Sequence, residues 1–125
     1  MQTIKKLMQF AVAVSDMPKA KEFYADKLGM KVTTDFRRDD ANWWVTLTLP
    51  ENGLSIVLTT HHDHMKPGTM ILWFATSDIT AVHKELRNKG IQVNEIKDDL
   101  HGPGSVIKWF NFKDPDGNLI HLEQA

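Results

Sequence analysis

The sequence predicts an α+β fold built from two tandem βαβββ modules, and three observations carry that prediction. First, the chain has 125 residues, 42% of them hydrophobic and 25% charged, which is the balance of a single globular domain spanning 1–125 and excludes a disordered or collagen-like chain. Second, the chain repeats itself with a shift of 62 residues, so that Asp16 falls on Asp78. Third, each copy changes from a period-2 pattern to a helical one at the same Ser-Asp dipeptide.

The first copy opens with a strand, Met8-Gln9-Phe10-Ala11-Val12-Ala13-Val14, and Ser15-Asp16 ends it. Asp16 is a helix N-cap, because its short side-chain oxygen accepts from the free N–H groups of the first turn, and Pro18 stands where a missing N–H does least harm. Met17, Ala20, Phe23, Tyr24 and Leu28 form the apolar helix face, and Gly29 supplies the left-handed residue that finishes the helix. Three extended segments follow at 30–36, 43–49 and 54–60, separated by a loop over 35–42 and by the turn Pro50-Glu51-Asn52-Gly53. Within that loop, Arg37-Arg38 followed by Asp39-Asp40 reads as a solvated turn.

The second copy begins at Met70-Ile71-Leu72-Trp73-Phe74-Ala75-Thr76 and turns into a helix at Ser77-Asp78, with Ile79, Val82 and Leu86 on its apolar face and Gly90 at its end. Extended segments are expected at 91–97, 105–112 and 119–123, with loops at 98–104 and 114–118. Module one therefore runs over about 1–60, the Pro67-Gly68 stretch 61–69 is the linker, and module two covers 70–125.

Composition narrows the partners. Lys and Arg number 15 against 16 Asp and Glu, with no basic stripe, so nucleic acid is not expected. The apolar run 10–14 is too short to span a bilayer, so no membrane is expected, and a cytoplasmic location is the default. There is no Cys, which removes disulfides, thiolate metal sites and a cysteine nucleophile.

Each helix covers one face of its sheet, so the other face is open to function. Alternation assigns Phe10, Val12, Val14, Leu72, Phe74, Ile120 and Leu122 to the helix side. It assigns Gln9, Ala11, Ala13, Ile71, Trp73 and Ala75 to the open side, together with His121 and Glu123, whose Cα atoms stand about 7 Å apart at two strand steps. Trp44, Trp109 and Asn111 fall on the open side by the same parity. Apolar walls with a few placed polar groups are what a ligand cleft needs, and the same residues also fit a strand pair left half open to water or a dimer interface.

The opening from Phe10 to Tyr24, the Leu28-Gly29-Met30 helix end and the closing run Trp109-Phe110-Asn111-Phe112-Lys113-Asp114-Pro115-Asp116-Gly117-Asn118-Leu119-Ile120-His121-Leu122-Glu123 resemble the vicinal oxygen chelate superfamily. That group holds glyoxalases, bleomycin-resistance proteins, fosfomycin-modifying enzymes and extradiol dioxygenases, and the resemblance covers essentially the whole chain. It implies a curved, cleft-bearing mixed sheet and a homodimer, and it leaves the function open because the scaffold hosts several chemistries. Carried over, the family's metal-ligand positions fall on Gln9, Val57, Ile71 and His121. Val57 and Ile71 offer no lone pair, so no metal is expected. If Zn, Ni, Mn or Fe were held, the ligands would be Gln9, His121 and Glu123.

The remaining histidines fit connectors better than ligands: His61, His62 and His64 surround Asp63 on the linker, His83 flanks the second helix, and His101 sits in a Gly-Pro-Gly loop that would suit a lid. The leading expectation is a metal-independent, bleomycin-resistance-type protein holding a small organic ligand against Gln9, Ala11, Trp44, Val57, Ile71, Trp73, Trp109, Asn111 and His121. The alternative is a glyoxalase-like or dioxygenase-like lyase or isomerase acting on a small substrate, with His121 as base or metal ligand and Glu123 as its partner.

Overall fold

The computed structural model describes residues 3–51, 54–99 and 102–125. The Asn52-Gly53 half of the expected turn and the lid position His101 lie outside the described residues. The chain forms two compact units, Met1–Pro67 and Gly68–Ala125.

In the N-terminal unit the order is β1 (Gln9–Ala13), α1 (Met17–Lys21), β2 (Lys31–Asp39), β3 (Asn42–Thr48) and β4 (Ser55–Thr59). The sheet order is β1-β4-β3-β2, parallel between β1 and β4 and antiparallel elsewhere. This is the βαβββ module the sequence predicts. The Asp16 carboxylate accepts from Lys19 N at 3.1 Å, and Gly29 ends the helical stretch at φ 77°.

Between these two ends the helix departs from expectation. Residues Glu22–Lys27 continue α1 as a π-helix, where Leu28 N donates to Phe23 O five residues back. The wider turn accompanies the burial of two consecutive aromatic rings, Phe23 and Tyr24, which meet edge to face with centroids 5.2 Å apart. They pack with Val12, Met17, Ala20, Val45, Leu47 and Leu58 to form the buried core of this unit.

Strand β2 also runs further than expected, so Arg37 and Arg38 are strand residues rather than a solvated turn. The cause is a tight reversal at Asp40-Ala41: Asp39 Oδ1 accepts from Ala41 N at 2.9 Å and from Asn42 Nδ2 at 3.0 Å, the aspartate-led turn that closes a hairpin locally. Arg37 pairs with Asp40 and lays its guanidinium 4.3 Å over the Trp43 ring.

The C-terminal unit contains β5 (Ile71–Thr76), α2 (Ile79–Asn88), β6 (Trp109–Lys113) and β7 (Leu119–Gln124), with sheet order β5-β7-β6. Asp78 caps α2 by accepting from Ala81 N at 3.1 Å, as Asp16 does in the other unit. Leu72, Ile79, Leu86, Phe110, Phe112, Ile120 and Leu122 are buried.

Here the expected strand at 91–97 is corrected to an extended segment with one bridge, Lys97 to Trp109. The interruption has its cause in α2. His83 Nε2 contacts Asn94 O at 2.8 Å, so that carbonyl is taken by α2, and Asn94 Oδ1 replaces it as the acceptor for Asn111 N at 2.6 Å. The expected strand at 105–112 likewise begins only at Trp109, because Ser105 N and Ile107 N are spent on local bonds to Gly102 O and Ser105 Oγ.

The turn between β6 and β7 is the most buried polar structure in this unit. Asp114 Oδ1 accepts from Asp116 N and Asn118 N, its Oδ2 accepts from Asn118 Nδ2 at 2.7 Å, and Asn118 Oδ1 accepts from Met70 N at 2.8 Å. Every one of these bonds is satisfied within the turn and the start of β5, which fixes the frame on which β5 and β7 run parallel.

Candidate functional site

Register decides which side chains share a face, since residues paired across a ladder point the same way. In the N-terminal unit one face carries Gln9 opposite Ser55, Val57 between Ala11 and Thr46, and Trp44 between Thr59 and Phe36. Gln9 is exposed, Val57 is buried, and Trp44 is half-buried with its ring 5.8 Å from Phe36 and 6.2 Å from His61. His61 lies beyond the end of β4, and its Nε2 is 3.4 Å from Asp63 Oδ2. Among the described residues no group of three or more His, Asp or Glu side chains could hold a metal ion, the 61–64 stretch included.

In the C-terminal unit the register sets Ile71 beside Leu119, Trp73 beside His121, Asn111 on the other flank of His121, and Trp109 and Ala75 beside Glu123. Two large apolar residues stand open to solvent on this face, Ile71 at 61% and Trp73 at 63% exposure. His121 is only 5% exposed, so the half-open strand pair that alternation allowed is not what forms. Its imidazole lies between two indoles, with centroids 4.2 Å from Trp73 and 5.5 Å from Trp109, the latter stacked at 24°.

The same ring is held from its edge. His121 Nε2 and Glu123 Oε1 are 2.9 Å apart, which fixes both the plane of the imidazole and the nitrogen that faces the carboxylate. A stacked indole, a second indole tilted at 34° and a carboxylate hold the imidazole on three sides, and the Trp73 ring is the exposed one of the three aromatic groups.

Parity through β5, β6 and β7 places Ile71, Trp73, Trp109, Asn111, His121 and Glu123 together on one face. What parity missed is the sandwich, because alternation gives a side and not a stacking order. It also missed Asp35, which accepts from Lys21 Nζ at 2.5 Å and from Trp43 Nε1 at 2.7 Å. The Lys21 bond and then the Trp43 bond hold the Asp35 carboxyl below its ordinary value. No spacing in the sequence marks that network, since Asp35 lies 14 residues from Lys21 and 8 from Trp43.

Two of the four positions that the resemblance assigns to metal ligands carry the hydrocarbon side chains of Val57 and Ile71, and Nε2 of His121 meets Glu123 Oε1. Of the three donors expected if a metal were held, His121 and Glu123 stand together on β7 and Gln9 stands on β1 of the other unit.

Comparison with known proteins agrees with the fold. The chain resembles TnmS3, described as an antibiotic binding protein from Streptomyces sp. CB03234, with 30% identity, a TM-score of 0.81 and coverage of 98% of this chain and 97% of that one. A glyoxalase/bleomycin resistance protein from the same organism matches at 32% identity and a TM-score of 0.76 over 93% and 97% of the two chains. The uncharacterized protein YetH of Bacillus subtilis (strain 168) is 26% identical over 97% of this chain and 99% of its own length. A sequence profile matches residues 6–122, nearly the whole chain, and by that match the chain belongs to the Glyoxalase/Bleomycin resistance protein/Dioxygenase superfamily.

Proposed function

We propose that this chain binds a small, flat organic molecule on the Trp73, His121 and Trp109 face of its C-terminal unit, as a binding protein rather than a metal-dependent enzyme. The carrying observation is Trp73, a large aromatic ring 63% exposed and backed at 4.2 Å by a buried imidazole. An exposed indole held flat by its neighbours has already lost the rotamer freedom that binding would otherwise remove, so a planar ligand gains area burial and stacking at low entropic cost. The aliphatic Ile71 beside it extends the apolar surface. The antibiotic-binding description of TnmS3 supports the same class of ligand for this chain.

Titrating the protein with planar aromatic antibiotics while following tryptophan fluorescence tests the reading. Saturable quenching that needs about tenfold more ligand in Trp73→Ala is expected, with no metal recovered by elemental analysis and no thermal shift on adding nickel, zinc, manganese or ferrous iron. A tightly held stoichiometric metal, or quenching unaltered in Trp73→Ala, would overturn it.

The His121–Glu123 bond favours a second reading in which His121 removes a proton from a bound substrate and Glu123 orients it. Mass spectrometry of the ligand recovered after prolonged incubation separates the two. An unchanged ligand supports binding, and a product that no longer forms with His121→Ala supports catalysis.

A further inference from the structure

Among the described residues, two side-chain polar atoms are shut off from solvent without a hydrogen-bond partner: Trp109 Nε1 and Asn111 Oδ1. Both belong to β6, two residues apart, and the register puts both on the face that carries His121 and Trp73. Buried polar groups are almost always paired, and departures from that rule gather at functional sites. Here they coincide with the other departure, the exposed Ile71 and Trp73.

The two atoms are complementary, since an indole N–H only donates and an amide oxygen only accepts. They do not satisfy one another. Their Cα atoms stand about 7 Å apart along the strand, and the Trp109 ring is held by its stack on His121 at 5.5 Å and 24°. The neighbouring carboxylate does not serve the indole either: Glu123 Oε1 meets His121 Nε2, and neither of its oxygens takes a bond from Trp109 Nε1. A group that accepts from the indole and donates to the amide would pair both.

We infer that the ligand of this face carries a hydrogen-bond acceptor next to a donor on one edge of its ring, the pattern of a cis-lactam, read by Trp109 Nε1 and Asn111 Oδ1. This rests on the reading that the face binds a flat ring and adds what kind of ring it is. Because both atoms are covered, the edge reaches them only when the side chains above them part. Stacking on Trp73 then comes first and edge recognition second. A site that leaves its own polar atoms unpaired when the wrong molecule binds discriminates more strongly than an apolar wall can.

Three probes of similar size test this: 2-quinolinone, which has the acceptor and the donor; 1-methyl-2-quinolinone, which lacks the donor; and naphthalene, which lacks both. Fluorescence titration is expected to show 2-quinolinone binding about tenfold or more tighter than either of the others, the discrimination that an unmade buried hydrogen bond brings. Trp109→Phe and Asn111→Leu should each bring the ratio of 2-quinolinone to naphthalene affinity close to one. Asn111→Leu should not lower the unfolding temperature of the free protein, since it removes an unpaired buried atom at similar side-chain size; a purely structural role would lower it. Equal affinity for the three probes would overturn the edge recognition, assign the pair to an ordered water and leave the flat-ring reading standing. Binding by none of the three would overturn both.

Discussion

Two tryptophans, one in each unit, show how the same residue is treated when its polar edge is paired and when it is not. Trp43 donates its indole N–H to Asp35 at 2.7 Å and has the Arg37 guanidinium 4.3 Å over its ring. Trp109 is stacked on His121 with its N–H unpaired, and the nearest cation over its ring is Lys97 Nζ at 5.8 Å. The first is closed by its neighbours on edge and face. The second keeps an edge that nothing in its own sheet answers. The units differ in the same sense: four strands and a tight hairpin against three strands, a broken ladder at Asn94 and an exposed Trp73. Two copies of one repeat therefore need not share one task, and the copy with the incomplete sheet carries the features of a binding surface.

If the C-terminal unit combines a rigid frame with an open face, its frame should be the costlier part to damage. Asn118 has no solvent exposure and joins the turn to β5, so Asn118→Ala is expected to remove about 2–4 kcal/mol, because it takes the side-chain acceptor from Met70 N–H and the Nδ2 donor from Asp114 Oδ2. Chemical denaturation reads this directly. A loss near zero would mean that the turn is not what holds the frame. The next largest effect belongs to Gly68→Ala, because a Cβ there would stand 2.2 Å from Asp116 O at a φ of +83°. The control is Gly29→Ala, where φ is +77° and nothing lies within 4 Å. That change should cost only about 1–2 kcal/mol, for the left-handed backbone alone. Equal losses at the two glycines would remove the close approach from the account.

The pair Trp73→Ala and Trp43→Phe sharpens the contrast between face and frame. Trp73→Ala should weaken planar ligands by about tenfold, the scale of one lost stack with its buried area, and leave the unfolding midpoint nearly unchanged because the ring is already exposed. Trp43→Phe should do the reverse, since it strands an Asp35 bond in the other unit. If both variants lower stability and neither alters binding, the distinction between the two tryptophans fails.

Much of this was legible in residues. The two Ser-Asp openings, the helix-ending glycines and the alternation through Ile71–Thr76 each act over a few neighbouring residues, which is why sequence alone places the module order and the sorting of faces. What was not legible depends on contacts between distant residues. The strand expected at 91–97 has the right composition, and it is lost because His83 takes the Asn94 carbonyl from across the unit. The π-helical turn at Glu22–Lys27 answers two aromatic rings seeking the same core. The burial of His121 follows from the way two indoles close over it, and a pattern of alternation holds no information about that closure.

The smallest expected effect concerns the N-terminal network and its pH dependence. Asp35 is half of an ion pair with Lys21 and the acceptor for Trp43, and both bonds favour the carboxylate, so its pKa in the folded chain lies below the ordinary 3.8. A carboxyl whose folded pKa is depressed stabilises the protein in full above its unfolded value, and that contribution is lost as pH falls through the folded one. Asp35→Asn removes the charge and keeps the shape. Unfolding midpoints of the parent and the variant should therefore differ by a constant amount from neutral pH down to 3.8 and converge below it. The difference should be modest, because Lys21 and Asp35 are each about one-third exposed and water screens the pair. A gap that stays constant well below 3.8 would mean that the protonated acid serves Trp43 as well as the carboxylate does. Trp43 would then be held by packing under Arg37 more than by its N–H, and its contrast with Trp109 would rest on the ring face alone.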